Sequence, residues 1–138
     1  MGAALFACAS APVAGEATIE RVGPRLAHPW GMDFIGTDQV LVTVRGGGLQ
    51  RVSLADGSAA DITGLPKVFA RRQGGMLDVL VDGPHVYLCY SADLGGKSST
   101  AIDRARLEGD ALVERETIFT GNNPARSGHH FDGIFNGF

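Results

Sequence analysis

Two adjacent histidines, His129 and His130, are the residues of this sequence best suited to acid–base chemistry. They lie in the segment 127–133, where glycines on both sides of the pair allow the backbone to turn sharply and approach a ligand closely. A histidine accepts a proton at neutral pH because its unperturbed pKa is about 6.5. Since neighbouring residues of an extended chain point to opposite sides, at most one of the two faces a given pocket. The alternative interpretation is a solvated polar loop.

The composition is ordinary for a globular domain except for its many glycines. The 138 residues suffice for one domain with a hydrophobic core, since 44% are apolar and 20% are charged. The 20 glycines are spread along the chain in turn-like positions, a pattern typical of short strands joined by tight turns. A net charge of −3 provides no basic surface for nucleic acid or an anionic membrane.

Residues 1–16 are small and apolar and are interpreted as a leader. They resemble the apolar part of a secretory signal with a small-residue cleavage region, although no Lys or Arg precedes it. Residues 5–8 also resemble an imperfect lipoprotein box that ends at Cys8. We expect a periplasmic or secreted protein, with a lipid anchor at Cys8 as a variant and a disordered Ala-rich segment as the alternative. No apolar run of about 18 residues follows, so no membrane span is expected.

The rest of the chain shows short strand patterns separated by turn residues. They recur about every 8 to 12 residues in two groups of about four, a spacing typical of sandwiches, barrels and propellers, and the meandering groups favour a propeller. Polar residues of the strand at 100–107 are expected to face water, and the segment 111–119 has a short helix as its alternative. The predicted strands are 17–22, 31–35, 40–44, 49–54, 61–62, 76–81, 85–90, 100–107 and 111–119.

The length of the chain limits how much of a propeller it can form. A blade takes roughly 40 to 50 residues, and a complete propeller has at least four blades. We therefore predict an all-β fold in which residues 17–138 form only about the first two to three blades of four antiparallel strands. The remaining blades are expected in a longer protein.

Seven short motifs follow one another between Leu26 and Phe131. They are LAHPWGMDF (26–34), LVTVR (41–45), GLQRV (48–52), GLPKV (64–68), QGGMLDV (73–79), VYLCY (86–90) and SGHHF (127–131). In this order they closely resemble the N-terminal third of the soluble sugar dehydrogenases that depend on pyrroloquinoline quinone (PQQ). This family includes the aldose sugar dehydrogenases and the glucose/sorbosone dehydrogenase domain. The resemblance implies a six-bladed β-propeller with PQQ over its central channel.

The resemblance also implies a chemistry and assigns roles to two residues. The family oxidises the anomeric carbon of an aldose to a lactone, with hydride transfer to PQQ and a separate electron acceptor. His130, placed before Phe131, matches the base that removes the hydroxyl proton, whereas His129 matches no catalytic position. Gln73 matches the glutamine that lines the PQQ and sugar pocket. Its amide offers a donor and an acceptor, although a turn residue that caps the strand at 76–81 is the alternative.

The sequence departs from the family after Phe131. Where the family has Gly-Gly-Arg and an apolar strand, residues 132–138 are DGIFNGF. The family's basic PQQ ligands and its calcium ligands belong to later blades, and Asp33, Asp78 and Asp132 lack calcium-loop spacing. We therefore expect this chain by itself to be inactive, with a non-catalytic propeller module that binds a partner as the alternative. A transition-metal site at the histidine pair lacks a third ligand at any standard spacing.

Several other conspicuous residues are assigned structural roles. Arg71 and Arg72 are interpreted as a solvated turn, with contact to an anionic cofactor edge as the alternative. Trp30 is expected in the core between blades rather than as a platform for sugar stacking. Cys89 is expected to be a buried small hydrophobic residue, and Tyr87 and Tyr90 are likewise assigned to the fold.

Overall fold

The computed structural model describes residues 17–122 and Pro124. The expected leader with Cys8, the pair His129 and His130, and Asp132 lie outside the described residues, so what was predicted for them stays a prediction. The described part of the chain contains two four-stranded antiparallel sheets and no helix. Accordingly, no helix in it has the length and apolar character needed to cross a membrane.

The two sheets are built in the same way from consecutive strands. In each sheet every strand pairs with the next one along the chain, so that tight turns are enough to join most of them. Blade 1 consists of β1 Pro29–Ile35, β2 Gln39–Val44, β3 Gly48–Ser53 and β4 Ala59–Asp61. Blade 2 consists of β5 Met76–Asp82, β6 His85–Asp93, β7 Ser98–Glu108 and β8 Ala111–Thr120.

The hydrophobic core lies between the two blades. Leu41 and Leu49 of blade 1 pack in one cluster with Met76 and Leu88 of blade 2, and none of the four is more than 1% exposed. Complete burial of such a side chain stabilises the fold by roughly 1.5 to 3 kcal/mol. The buried hydroxyl of Thr43 accepts a hydrogen bond from a blade 1 amide at 2.8 Å and lies 3.2 Å from a blade 2 carbonyl oxygen. The two sheets therefore pack as neighbouring blades.

Most strand predictions are confirmed, and two expectations are corrected. The strand predicted over residues 17–22 is wrong: the segment pairs with none of the described strands, and Ile19 is 98% exposed. The expectation that polar residues of the seventh strand face water is wrong for the first half of β7. The segment 111–119 lies in strand β8, which excludes the helix alternative. The polar residues buried in β7 are Ser98, Ser99, Thr100 and Asp103.

Trp30 is also placed differently from its prediction. It is 49% exposed rather than buried between blades. Met32 and Phe34, at alternating positions of β1, are 57% and 53% exposed. The intervening Gly31 lies against blade 2, since a Cβ atom added to it would overlap Asp78. Trp30 therefore belongs to the face of blade 1 that is turned away from blade 2.

The carboxylate of Asp103 is completely buried in β7 and is held by two donors. It accepts a hydrogen bond from the Tyr90 hydroxyl at 2.9 Å and a short one from the Arg115 guanidinium. Arg115 also donates from Nε to the carbonyl of Gly64, 3.1 Å away, in the connection between the blades. Because a buried charge is tolerated only when it is paired and hydrogen-bonded, these donors make the burial of Asp103 possible.

The Tyr90 hydroxyl should titrate at unusually high pH. Burial, with the hydrogen bond and negative charge of Asp103, raises the pKa of Tyr90 from 10.0 to about 12. Because the folded pKa lies above the unfolded one, the stability from this group is full below about pH 10 and is lost as the pH rises towards 12. In a Tyr87→Phe variant of this chain, Tyr90 is the remaining tyrosine. Its tyrosinate absorbance should rise near pH 12, and a rise near pH 10 with unchanged circular dichroism would contradict the burial of this hydroxyl together with its Asp103 contact.

Candidate functional site

The connection from β4 to β5 forms a closed loop that presents Gln73. The Phe69 amide donates to the Ser91 carbonyl at 2.8 Å, and the Ser91 amide donates to the Gly75 carbonyl at 2.9 Å. The buried Ser91 hydroxyl also accepts from the Gly75 amide at 3.3 Å. The segment 70–74 is thus tied at both ends to one residue of β6. Gln73 itself is exposed.

The local sequence explains this conformation. Within the loop, the Gly74 amide donates to the Arg71 carbonyl at 2.9 Å, and Arg72 has a φ of 55°, a left-handed conformation that is strained for a residue with a side chain. Gly75 is buried against the end of β2. A Cβ atom at Gly75 would overlap the carbonyl oxygen of Arg45 and lie 2.7 Å from its Cγ. The position therefore requires glycine.

Gln73 shares one end of the two blades with other connections. Strand pairing places the β2–β3 turn, the β6–β7 loop and the end of β8 at the end where β5 begins. The Met76 amide at the start of β5 donates to the Arg45 carbonyl at 3.1 Å, so the β2–β3 turn of blade 1 contacts the start of β5 in blade 2. This end of the blades is the candidate functional site.

The described chain also leaves blade 2 at this end. After β8, the Gly121 amide donates to the Thr100 carbonyl and its carbonyl accepts from the Ser99 hydroxyl, both at 2.8 Å. The structure therefore places Gln73 and the exit of the chain from β8 at the same end. The segment with His129 and His130 follows in the sequence and lies outside the described residues.

The surface around Gln73 is positively charged. Arg71 and Arg72 are exposed, as expected for a solvated turn, and the Arg71 guanidinium lies 5.5 Å from the centre of the Phe69 ring. Farther along the same connection, Lys67 contacts Asp93 at 3.0 Å, and this hydrogen bond lowers the pKa of the Asp93 carboxyl. An exposed amide beside two arginines is suited to an anion that also carries carbonyl oxygens.

The remaining candidates have structural surroundings. The Asp33 carboxylate accepts from the Val81 amide at 2.6 Å, and Asp78 accepts from the Val79 amide at 2.9 Å. Across residues 17–122 and Pro124, no group of three His, Cys, Asp or Glu side chains is arranged to hold a metal ion. Cys89 is buried, as expected, and burial raises the pKa of its thiol to about 11.

Two residues that hold the Gln73 loop were missed from the sequence. Ser91 follows the apolar run of β6, and its sequence context indicates an ordinary strand residue. In the structure, its amide, carbonyl and hydroxyl all form hydrogen bonds to the loop. Arg45 stands between a β-branched strand and three glycines. A charged residue directly after a buried strand is a signal that could have been noticed, although its partners are backbone carbonyls that no sequence motif marks.

Comparison with known proteins identifies the family. The model of the glucose/sorbosone dehydrogenase family matches residues 26–136. The aldose sugar dehydrogenase YliI of Escherichia coli strain K12 is 33% identical over 147 aligned positions, which cover 96% of this chain and 39% of that protein. An uncharacterized protein of Synechocystis is 29% identical, and 29% of its length is covered. The chain therefore spans about a third of the length of the curated relatives it matches.

Solved structures agree with the family match. A glucose dehydrogenase superposes with a TM-score of 0.71 at 34% identity, covering 77% of this chain and 33% of the other. The PQQ-bound aldose sugar dehydrogenase of Streptomyces coelicolor superposes with a TM-score of 0.66 at 23% identity, covering 74% and 33%, a likeness of fold. The chain belongs to the glucose/sorbosone dehydrogenase family, and its two sheets are blades of the family's propeller fold.

Proposed function

We propose that this chain supplies two blades and part of the active site of a PQQ-dependent dehydrogenase that oxidises the anomeric carbon of aldoses to lactones. The observation that carries the proposal is the Gln73 loop. It is anchored on Ser91, exposes an amide and lies beside two arginines, at the position where the family resemblance expects a residue that lines the cofactor and sugar pocket. The two named sugar dehydrogenases that match the chain support the substrate class.

The described residues fit one edge of a planar, anionic quinone. Gln73 can donate to a quinone or carboxylate oxygen and accept from a sugar hydroxyl. Arg71 and Arg72, which are exposed, provide positive charge beside it. When bound, PQQ supplies an electrophilic quinone that takes up a hydride. The relative from Streptomyces coelicolor, solved in a PQQ-bound form, supports the choice of cofactor.

The proton chemistry is proposed for His130. Oxidation of an anomeric C–H to a lactone carbonyl requires loss of a hydride from carbon and of a proton from the attached hydroxyl. A neutral imidazole within hydrogen-bond reach of that hydroxyl accepts the proton at pH 7. The exit of the chain from β8 at the same end as Gln73 supports this role. The remaining PQQ ligands and the calcium ligands are expected outside this chain, so the chain by itself is proposed to be inactive.

The proposal is tested in a protein of the family's full length. We define the completed protein as residues 17–131 of this chain followed by the part of E. coli aldose sugar dehydrogenase that lies beyond the match. Loaded with PQQ and calcium, it should reduce an artificial electron acceptor when glucose is added. Absence of turnover in a folded, PQQ-loaded protein would contradict the proposed enzyme. Binding of PQQ or sugar without turnover would favour the non-catalytic binding module.

Replacement of Gln73 should weaken ligand binding more than it slows the reaction. Gln73→Ala is expected to raise the dissociation constant of PQQ, or the KM for glucose, by about 10-fold, the worth of one hydrogen bond to a charged group. The change in kcat should be smaller, because these contacts exist before the transition state. PQQ titration by absorbance and steady-state kinetics measure the two effects.

The matched control for this variant is Gln50→Ala. Gln50 is the same residue type on β3 of blade 1, and its amide donates to Asp61 at 2.7 Å. It should leave PQQ and glucose affinities within about 2-fold of the parent protein. Equal affinities for the Gln73→Ala variant and the parent would remove Gln73 from the site.

A further inference from the structure

The side chain of Arg45 contacts the backbone of the Gln73 loop on both sides of Gln73. One terminal nitrogen of the guanidinium makes a short hydrogen bond to the carbonyl of Arg72, and Nε lies 3.4 Å from the carbonyl of Gly74. These are the residues immediately before and after Gln73. A planar guanidinium can direct two N–H donors to two such acceptors at once, which a lysine ammonium on its flexible stem does less well.

The backbone of Arg45 is also held by hydrogen bonds. Its amide donates to the His28 carbonyl at 3.1 Å, before β1, and its carbonyl accepts from the Met76 amide at 3.1 Å, at the start of β5. Gly75 packs directly on it. Arg45 is therefore attached to the first strand of each blade and holds the loop from a fixed position.

The tip of the loop is closed by the hydrogen bond from the Gly74 amide to the Arg71 carbonyl at 2.9 Å, and Ser91 does not add to it. Its hydrogen bonds close the ends of the loop, at Phe69 and Gly75. Within the loop, the strained Arg72 and the two glycines allow other backbone conformations. The contacts of Arg45 with the carbonyls of Arg72 and Gly74 fix the peptide units on either side of Gln73, and with them the direction of its side chain.

We propose that Arg45 is the positioning residue of Gln73, which it holds in the orientation that binds the cofactor or sugar. This inference rests on the proposed function for the claim that Gln73 binds a ligand. The contacts between Arg45 and the loop do not depend on that function. Arg45 acts through Gln73 and need not touch the ligand. Loss of Arg45 should therefore matter for binding only while Gln73 is present.

The first test measures the loop itself, without any ligand. In the apo form of the completed protein, Arg45→Met should raise the hydrogen-exchange rate of the Gly74 amide by about 10-fold, because loss of the two contacts favours local opening. Arg104→Met is the matched control, since Arg104 forms an exposed ion pair with Glu116 at 3.2 Å on blade 2. It should leave the Gly74 amide unchanged. An unchanged rate in Arg45→Met would overturn the proposal.

The second test is a double-mutant cycle on PQQ affinity. Arg45→Met is expected to raise the dissociation constant of PQQ by about 10-fold in the parent protein and by less than about 2-fold in the Gln73→Ala background. Equal factors in the two backgrounds would show that Arg45 acts independently of Gln73 and would overturn the proposal. If Gln73→Ala alone has no effect on PQQ or glucose affinity, the proposed function loses Gln73, whereas the Gly74 exchange rate still decides whether Arg45 holds the loop.

Arg45→Lys separates positioning from simple charge and also serves if the methionine variant does not fold. Lysine keeps the positive charge but should not satisfy both carbonyls. If Arg45 positions the loop, the hydrogen-exchange rate of the Gly74 amide should be higher in the Arg45→Lys variant than in the parent, and PQQ should bind more weakly. Parent-like PQQ affinity together with fast exchange would show that the charge alone matters, and it would overturn the proposal.

Discussion

Asp103→Ala is expected to lower the free energy of unfolding of the completed protein by about 2 to 3 kcal/mol. The carboxylate is 0% exposed and accepts from both Tyr90 and Arg115. Its removal leaves the Tyr90 hydroxyl without this acceptor in the core and breaks the partnership of a guanidinium that also binds the Gly64 carbonyl in the connection between the blades. Urea unfolding followed by circular dichroism measures the loss.

Two control variants separate the charge from its location. Asp103→Asn keeps the volume and an acceptor oxygen but not the charge, so its loss should be intermediate. Asp110→Ala removes an aspartate whose ion pair with Arg51, at 2.6 Å, is partly exposed. Such exposed pairs contribute about 1 kcal/mol or less. A similar loss for Asp103→Ala and Asp110→Ala would show that the buried cluster does not hold blade 2 together.

The strands could be predicted because their cause is local. Alternating apolar residues and the turn residues between them are properties of neighbouring positions, and β2 and β6 follow this pattern closely. Residues 17–22 alternate equally well but form no strand, because a strand also needs a partner with free hydrogen-bonding groups. The presence of that partner is not encoded in the segment itself.

Burial of polar residues in β7 could not be predicted for a related reason. Asp103 was expected to face water because a carboxylate is rarely buried. The residues that make its burial acceptable, Tyr90 on β6 and Arg115 on β8, are 13 and 12 positions away in the sequence. Whether the burial of Asp103 is acceptable therefore depends on the pairing of three strands, which only the folded sheet shows.

The residues of the candidate site also differ in how well the sequence indicates them. Gln73 could be proposed because its motif resembles that of a family, whereas Arg45 and Ser91 were missed because they act on backbone atoms. The Arg45 guanidinium binds carbonyl groups of Arg72 and Gly74, which every residue type possesses. Such contacts depend on where the loop lies in space, so no sequence motif marks the residues that support the loop.

His130→Ala should lower kcat for glucose in the completed, PQQ-loaded protein by about 10²- to 10⁴-fold, the usual contribution of a positioned general base. The lost imidazole would leave the hydroxyl proton without an acceptor as the hydride departs. PQQ affinity should change much less, because the base acts mainly in the chemical step. Single-turnover kinetics with glucose, together with PQQ titration, measure both quantities on the same sample.

His129→Ala is the matched control, since it removes the same group from the adjacent position. It should reduce kcat by less than about 2-fold, because neighbouring residues of an extended chain face opposite sides and the proposal assigns the base to His130 alone. If His129→Ala abolished turnover while His130→Ala left it near the parent value, the assignment of the base would be wrong by one residue. If both variants kept parent-like turnover, proton removal by this segment would be excluded, and the base of the reaction would have to come from another part of the completed protein.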